Sequence, residues 1–225
     1  WLFTGWEITT VCSFLMIGYT RTDEAIKNSF RQINLNMIGG LAFLAALIML
    51  HFGGIELSLA AFIETASTTQ AAVLIFPILL LSVAGLTKAA QMPFHSWLLG
   101  AMVAPTPTSA LLHSSTMVKA GVFLLVKLAP VYMVFPAASI MVVTVGGVTF
   151  VLCSFMAISQ SNAKRVLAYS TIANLGLIAA CAGVGIAEAA WAAVFLIIFH
   201  TVSKSILFLF VGTVEHRIGS RNLED

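Results

Sequence analysis

Seven stretches of this sequence are apolar over about 20 residues or more. They cover roughly 1–20, 32–52, 70–98 with an interruption, 107–128, 132–158, 166–186 and 190–213. A helix rising about 1.5 Å per residue needs that length to cross a hydrocarbon core of about 30 Å. The runs lack the strict alternation of barrel strands and are about twice as long as such strands need to be. The prediction is an all-α, polytopic transmembrane helix bundle of about seven spans, with 1–225 as a single transmembrane domain. Only 9% of the 225 residues are charged, against about 25% in soluble domains, so the expected surroundings are a lipid bilayer. The net charge of +2 is too small and too scattered for nucleic acid, and no such partner is expected. Cys12, Cys153 and Cys181 sit alone in apolar runs, with neither a metal-ligand spacing nor an arguable disulfide. Trp1 opens directly into an apolar run without a basic leader, so no cleavable signal peptide is expected, and the chain reads as a piece of a longer one.

Basic residues set the orientation. Connections 21–31, 91–106 and 159–165 and the tail 214–225 hold Arg21, Lys27, Arg31, Lys164, Arg165, Arg217 and Arg221. Connections 53–69, 129–131 and 187–189 hold none, and they carry Glu56, Glu64 and Glu188. Lys127, at a helix end near them, reads as a snorkelling side chain. The first set of connections and the tail are therefore expected on the cytoplasmic side of an inner membrane. Segment 53–69 is too short and polar to span. Its Ile55, Leu59, Phe62 and Ile63 fall at helical spacing, which predicts a short helix lying on the opposite surface.

Three lysines remain inside the apolar runs, Lys88, Lys119 and Lys204, with Glu7 as an acidic counterpart in the first. Each such charge costs about 2.5–3.5 kcal/mol at mid-membrane even on the lenient insertion scale. The default inference is a path for protons or ions facing the bundle interior. Lys119 stands about two turns from its span's end and can also reach the surface by snorkelling. His200 and Lys204 are four apart and share a face about 6 Å apart along the axis. Imidazole can pass a proton on either nitrogen near working pH.

Stretch 85–121 is the most informative. A straight helix over 70–98 would be about 43 Å long, well beyond the core thickness. Gly85, the polar Thr87-Lys88 pair and Pro93 predict a helix broken near Lys88, a feature tolerated at depth where it lines a protein-buried or wet cavity. The following span begins at Pro105 and Pro107 with a dense polar side: Thr108, Ser109, His113, Ser114, Ser115, Thr116 and Lys119. Ser115 and Thr116 can share the face of Lys119 on a regular helix, whereas His113 lies about 240° around it and needs a distortion or a water to make contact. The glycines at 39, 40, 146, 147, 183 and 185 read as sites of close helix approach. No P-loop, dinucleotide fingerprint or H-E-x-x-H occurs, and no ligand set for haem or an iron–sulfur cluster, so no cofactor is expected in this chain.

Four segments carry a resemblance: K-A-A-Q-M-P-F-H-S-W-L at 88–98, A-P-T-P-T-S-A-L-L-H-S-S-T-M-V-K-A-G at 104–121, K-R-V-L-A-Y-S-T at 164–171 and H-T-V-S-K-S-I-L-F at 200–208. In order and over nearly the whole chain, they resemble the antiporter-like membrane subunits of complex I (NADH:quinone oxidoreductase), Mrp-type sodium/proton antiporters and energy-converting hydrogenases. The two ends of the chain look most like the hydrogenase-linked members. The resemblance implies a larger fold of inverted repeats, of which seven helices hold only part. It implies that Glu7 and Lys88 form an ion pair at the start of a proton relay. The relay continues through His113, Lys119, His200 and Lys204, with Lys164 as a secondary relay or interface position on the cytoplasmic side. The function it implies is proton translocation driven by electron transfer in partner subunits. Quinone and NADH, or nickel–iron and iron–sulfur centres, would belong to a peripheral redox arm joined through other membrane subunits. The alternative is a secondary sodium/proton antiporter of the Mrp type.

Overall fold

The computed structural model describes residues 1–69 and 71–224, and these form eleven α-helices joined by turns. They are α1 (Leu2–Ile17), α2 (Asp23–Phe52), α3 (Leu59–Thr68), α4 (Ile75–Lys88), α5 (Ser96–Gly100), α6 (Thr106–Ser114), α7 (Met117–Lys127), α8 (Ala129–Tyr132), α9 (Pro136–Ile158), α10 (Ala163–Val184) and α11 (Ala187–Ile218). Five segments are long and apolar enough to cross a membrane: α2, α6 with α7, α9, α10 and α11. The other two expected spans are shorter apolar helices, Leu2–Ile17 and Ala72–Lys88.

Local chemistry explains the boundaries. The span expected at 32–52 starts earlier, because Thr22 accepts a hydrogen bond from the Ala25 N–H and Asp23 and Glu24 sit in the first turn, where the helix dipole favours acids. Most of the expected loop 21–31 is therefore helix. Asn162 caps α10 in the same way through the Arg165 N–H. Gly185, at φ +84°, ends α10 in the left-handed conformation that glycine adopts most easily, so its role is a turn as well as a close approach.

The helix expected to break near Lys88 does so there: α4 ends at that residue. Ala89–Phe94 then make a turn whose backbone groups find partners outside a regular ladder. The Met92 N–H donates to Thr149 Oγ1 at 3.1 Å, and Trp97 Nε1 donates to the Thr87 carbonyl at 3.1 Å. A second interruption was not expected. The span at 107–128 is split at Ser115–Thr116 into α6 and α7, and Thr116 Oγ1 turns back to the Leu111 carbonyl. Ser115 and Thr116 therefore do not share a regular helical face with Lys119. The expected surface helix in 53–69 is α3, which buries Phe62 and Ala66.

The ends of the bundle sort as the charges predict. A cavity of about 630 Å³ brings together Thr22, Asn28, Arg31, Ser96, Asn162 and Arg221, from the four basic segments. The tail is tied there by Ala163 N–H to the Arg221 carbonyl and Leu223 N–H to the Ser161 carbonyl, both 2.9 Å. At the opposite end a groove joins Glu64, Lys127, Ala129 and Ala187. Between them lie two buried apolar clusters, one around Phe43, Phe62, Leu81 and Tyr132 and one around Trp97, Met117, Ile172 and Phe208. The outer faces of α9 and α11 expose large apolar side chains such as Ile140, Phe155, Phe199 and Phe210, the reverse of a water-soluble helix.

Helices α9 and α10 touch backbone to backbone. A Cβ on Gly176 would stand 2.6 Å from the Gly146 carbonyl oxygen, whereas one on Gly147 would meet nothing within 4 Å. Gly176→Leu should therefore overpack this contact by about 1–3 kcal/mol and lower the melting temperature of the detergent-solubilised full-length protein. Gly147→Leu should leave it unchanged, and equal melting of the two variants would show that the close approach is not made.

Candidate functional site

The polar interior is assembled from the ends of broken helices and one face each of α1, α2, α10 and α11. Lys88 closes α4 and is only 1% exposed. Its ammonium donates to the Trp6 carbonyl at 2.7 Å and to Thr10 Oγ1 at 2.6 Å, and it lies 5.0 Å from the centre of the Trp6 ring. Trp6 and Thr10 are one turn apart on α1, so they present a matched pair of oxygens to one cation.

Glu7 is placed differently from the expectation. Among the described residues the one ion pair within 4 Å joins Arg221 to Glu215, so Glu7 and Lys88 are not in contact. The reason is helical geometry. Glu7 stands about 100° around α1 from Trp6, and its carboxylate turns toward α2, where a Cβ on Gly40 would come within 2.5 Å of Oε1. Glu7 is half-buried and its Oε1 has no hydrogen-bond partner among the described residues. It remains the carboxylate within electrostatic reach of Lys88.

The second group spans four helices. Lys119 Nζ, on α7, is 2.8 Å from His200 Nδ1 on α11. Lys204, one turn further along α11, donates to Ser170 Oγ on α10. His200, Lys204 and Phe208 recur every fourth residue and, with Ala193, are the buried residues of a helix that mostly faces outward. The short reach of Lys119 to the surface is not used, since the side chain is turned inward and only 7% exposed. His113, at the end of α6, is fully buried against Phe208 with ring centres 4.7 Å apart, and neither ring nitrogen has a hydrogen-bond partner among the described residues. A break does occur at Ser115–Thr116, but His113 packs on Phe208 of α11, and Lys119 bonds to His200 instead. Ser203 and Ser205, on the same helix as Lys204, bond back to the Phe199 and Thr201 carbonyls and face away from this group.

Lys164 was expected as a secondary relay or interface position on the cytoplasmic side. It is 1% exposed, and its ammonium donates to the Ala104 carbonyl at 2.9 Å, in the turn before α6. Nearby, Glu215 accepts from Thr106 Oγ1 at 3.0 Å and from Arg221, tying α6, α11 and the tail together. Lys127 is exposed and stacked over Phe123, as a snorkelling residue should be.

Sequence reasoning missed Thr10 and Ser170 as partners and overlooked the amide face of α2. Gln32 and Asn36 are 0% and 1% exposed, and Gln32 Nε2 lies 3.4 Å from the Thr10 carbonyl and 3.7 Å from Met117 Sδ. The signal was present, since residues 28, 32, 36 and 40 read Asn, Gln, Asn and Gly at one-turn spacing.

An apolar outside around buried lysines and histidines defines a multi-pass membrane protein with a polar interior path. The chain belongs to the NADH:quinone oxidoreductase/Mrp antiporter transmembrane family, whose model matches residues 1–225. It is 37% identical, over 99% of its length, to the A1 subunit of a Na(+)/H(+) antiporter of Staphylococcus saprophyticus. It is 42% identical, over 97%, to the A/B subunit of a probable K(+)/H(+) antiporter of Rhizobium meliloti. It covers 30% and 22% of those two proteins, and so spans less than a third of either. Among solved structures it superposes on a chain of the Mrp complex from Dietzia with a TM-score of 0.91 and 37% identity, over 97% of this chain and 24% of that one. A chain of the archaeal membrane-bound sulfane sulfur reductase, a respiratory membrane complex, gives a TM-score of 0.88 at 26% identity, over 99% and 46%.

The Lys119–His200 bond makes a direct test possible. Removing either partner leaves the other buried and unsatisfied, so Lys119→Met and His200→Leu should each destabilise the full-length protein. The double variant should lose less than the sum, by about 1–3 kcal/mol in a double-mutant cycle read from unfolding in detergent. Strict additivity would mean that the bond is not made.

Proposed function

We propose that this chain is the part of a Mrp-type cation/proton antiporter that carries protons through the membrane, and that Lys88, His113, Lys119, His200 and Lys204 are its relay. The observation that carries the reading is the buried Lys119–His200 pair bridging α7 and α11, with Lys88 and Lys204 buried on either side and bonded to neutral oxygens. In such a pair the imidazole accepts the proton that the lysine offers, and His113 stands close enough to α11 to hand protons on through water. Glu7 acts on Lys88 through space: a change in its charge or position alters the ease with which Lys88 gives up its proton. Lys164 sits off this line and is assigned to holding the turn before α6. The basic end, with its arginines and the tail, faces the cytoplasm. The remainder of the route, the second ion and the partner membrane subunits belong to the larger assembly that such relatives form.

Moving one charge against 100 mV costs about 2.3 kcal/mol, an amount that the gain or loss of one neighbouring charge at a buried lysine can match. Antiport is favoured over redox-driven pumping by the antiporter names of the two relatives. The likeness to a chain of a respiratory sulfur reductase supports the second reading, in which electron transfer in partner subunits drives the same relay.

Lys88→Ala and Lys204→Ala, each in the full-length protein with its partner subunits in inverted vesicles, should lower proton release on addition of sodium or potassium at least tenfold. Exposed Lys127→Ala should leave it intact. Undiminished exchange in both buried variants would remove the relay. A purified complex that carries iron–sulfur proteins, and whose proton movement follows electron flow rather than added cation, would decide for the second reading.

A further inference from the structure

Helix α2 shows an apolar stripe on its outer side. Phe30, Met37, Leu41, Leu44 and Ile48 fall at helical spacing, and each is between 40% and 60% exposed. From Phe30 to Ile48 the stripe runs about 27 Å, close to the thickness of a hydrocarbon core. Phe30 is its first residue at the basic end, so the boundary between lipid tails and headgroups falls near it. Tyr19 stands exposed in the turn before α2, as aromatic side chains do at such a boundary. Glu24, Asn28 and Arg31 lie roughly 100–160° around the helix from that stripe. They line the cavity of about 630 Å³ at the basic end.

The same cavity receives Arg165 from the first turn of α10 and Arg221 from the tail, so guanidinium groups from three separate segments converge on it. Glu24 is the acidic side chain set against them. Sidedness alone asks only that basic residues lie at this end, and Arg217, also exposed there, lines no part of the cavity. Arg221 is spent on Glu215, the one ion pair within 4 Å among the described residues. Arg31 and Arg165 therefore keep their charge without a carboxylate in contact. A guanidinium fork matches the oxygens of a phosphate two at a time. Ser96 and Asn162 add neutral hydrogen-bonding groups to the lining.

We propose that this cavity binds the phosphate of an anionic phospholipid, clamped by Arg31 and Arg165, with an acyl chain lying from Phe30 along the apolar stripe of α2. The stripe decides between a lipid and a soluble phosphate. Arg31 stands between the cavity and a lipid-facing surface that begins at the next residue, so headgroup and tail are both accommodated. Basic pockets between spanning helices are suited to such headgroups. A lipid held there joins α2, α10 and the tail at one point. None of the proposed relay residues lines the cavity, so this site stands apart from the proton path.

Two measurements test it in the full-length protein with its partner subunits, stripped of lipid in a neutral detergent. Phosphatidylglycerol should bind at least tenfold more tightly than phosphatidylcholine. The double variant Arg31→Gln with Arg165→Gln should weaken it at least tenfold, the pair Arg31→Lys with Arg165→Lys should weaken it less, and Arg217→Gln should leave it unchanged. Equal binding of the two lipids, or equal weakening by Arg217→Gln, would reduce the effect to general surface charge and overturn the site. Inorganic phosphate that displaces the lipid at equal concentration would assign the cavity to a soluble anion and overturn the lipid reading. The second measurement needs no variant and decides if the glutamine pair fails to assemble. A phosphatidylglycerol with a photoreactive group near its headgroup should label residues 19–31 at least fivefold more than residues 195–210 of α11. Even labelling of the two stretches would overturn the proposal.

Discussion

An ammonium group inside a membrane must be solvated by the protein, and the way this chain does it shapes everything around it. Lys88, Lys119, Lys164 and Lys204 are all buried, and each bonds to a neutral acceptor: a carbonyl with a hydroxyl, an imidazole, a carbonyl and a hydroxyl, in that order. None has a carboxylate within 4 Å among the described residues. A contact ion pair would meet the desolvation cost most fully, but it would also fix the proton in place. Neutral oxygens and an imidazole lower the cost without one. Glu7, offset around α1 and facing Gly40, stands apart from Lys88 and is not its contact partner.

The irregular parts of the bundle answer a different need, the pairing of backbone groups that have left a regular ladder. Where α4 stops at Lys88 and where α6 gives way to α7 at Ser115–Thr116, backbone groups are released, and side chains reach in to meet them. Just before the second break His113 lies against Phe208, on the face that carries His200 and Lys204. Regular helix packing does the opposite task. The backbone contact of Gly146 with Gly176 holds α9 against α10, and Ser170 on α10 is where Lys204 finds its oxygen.

The span pattern was legible because lipid imposes a length and an apolar surface that any sequence must show. The sidedness of the connections was legible for a similar reason, and the cavity at the basic end gathers the segments that charge had grouped. Lys88, Lys119, His200 and Lys204 stood out because a charge or an imidazole in an apolar run is costly. What was not legible depended on pairing in three dimensions. No periodicity distinguishes a Glu7 that touches Lys88 from one rotated by 100°, and none shows that Lys164 bonds to the Ala104 carbonyl. The amides at 28, 32 and 36 carried a readable spacing, but uncharged side chains cost less to bury than lysines do, and they drew no notice.

Seen from the interior, the two kinds of signal divide the labour. The residues that announce themselves by cost are those that hold charge. The quieter ones are its neighbours: Thr10 and Ser170 offer hydroxyls to Lys88 and Lys204 from other helices, and Gln32 lies against the Thr10 carbonyl. Thr10 illustrates the coupling: its hydroxyl holds Lys88 and its carbonyl faces Gln32, so a small rotation of α1 alters both contacts together. Glu7 rides on the same helix, one turn away. Any force that turns α1 would therefore reach the Lys88 contact and the Gln32 contact at once.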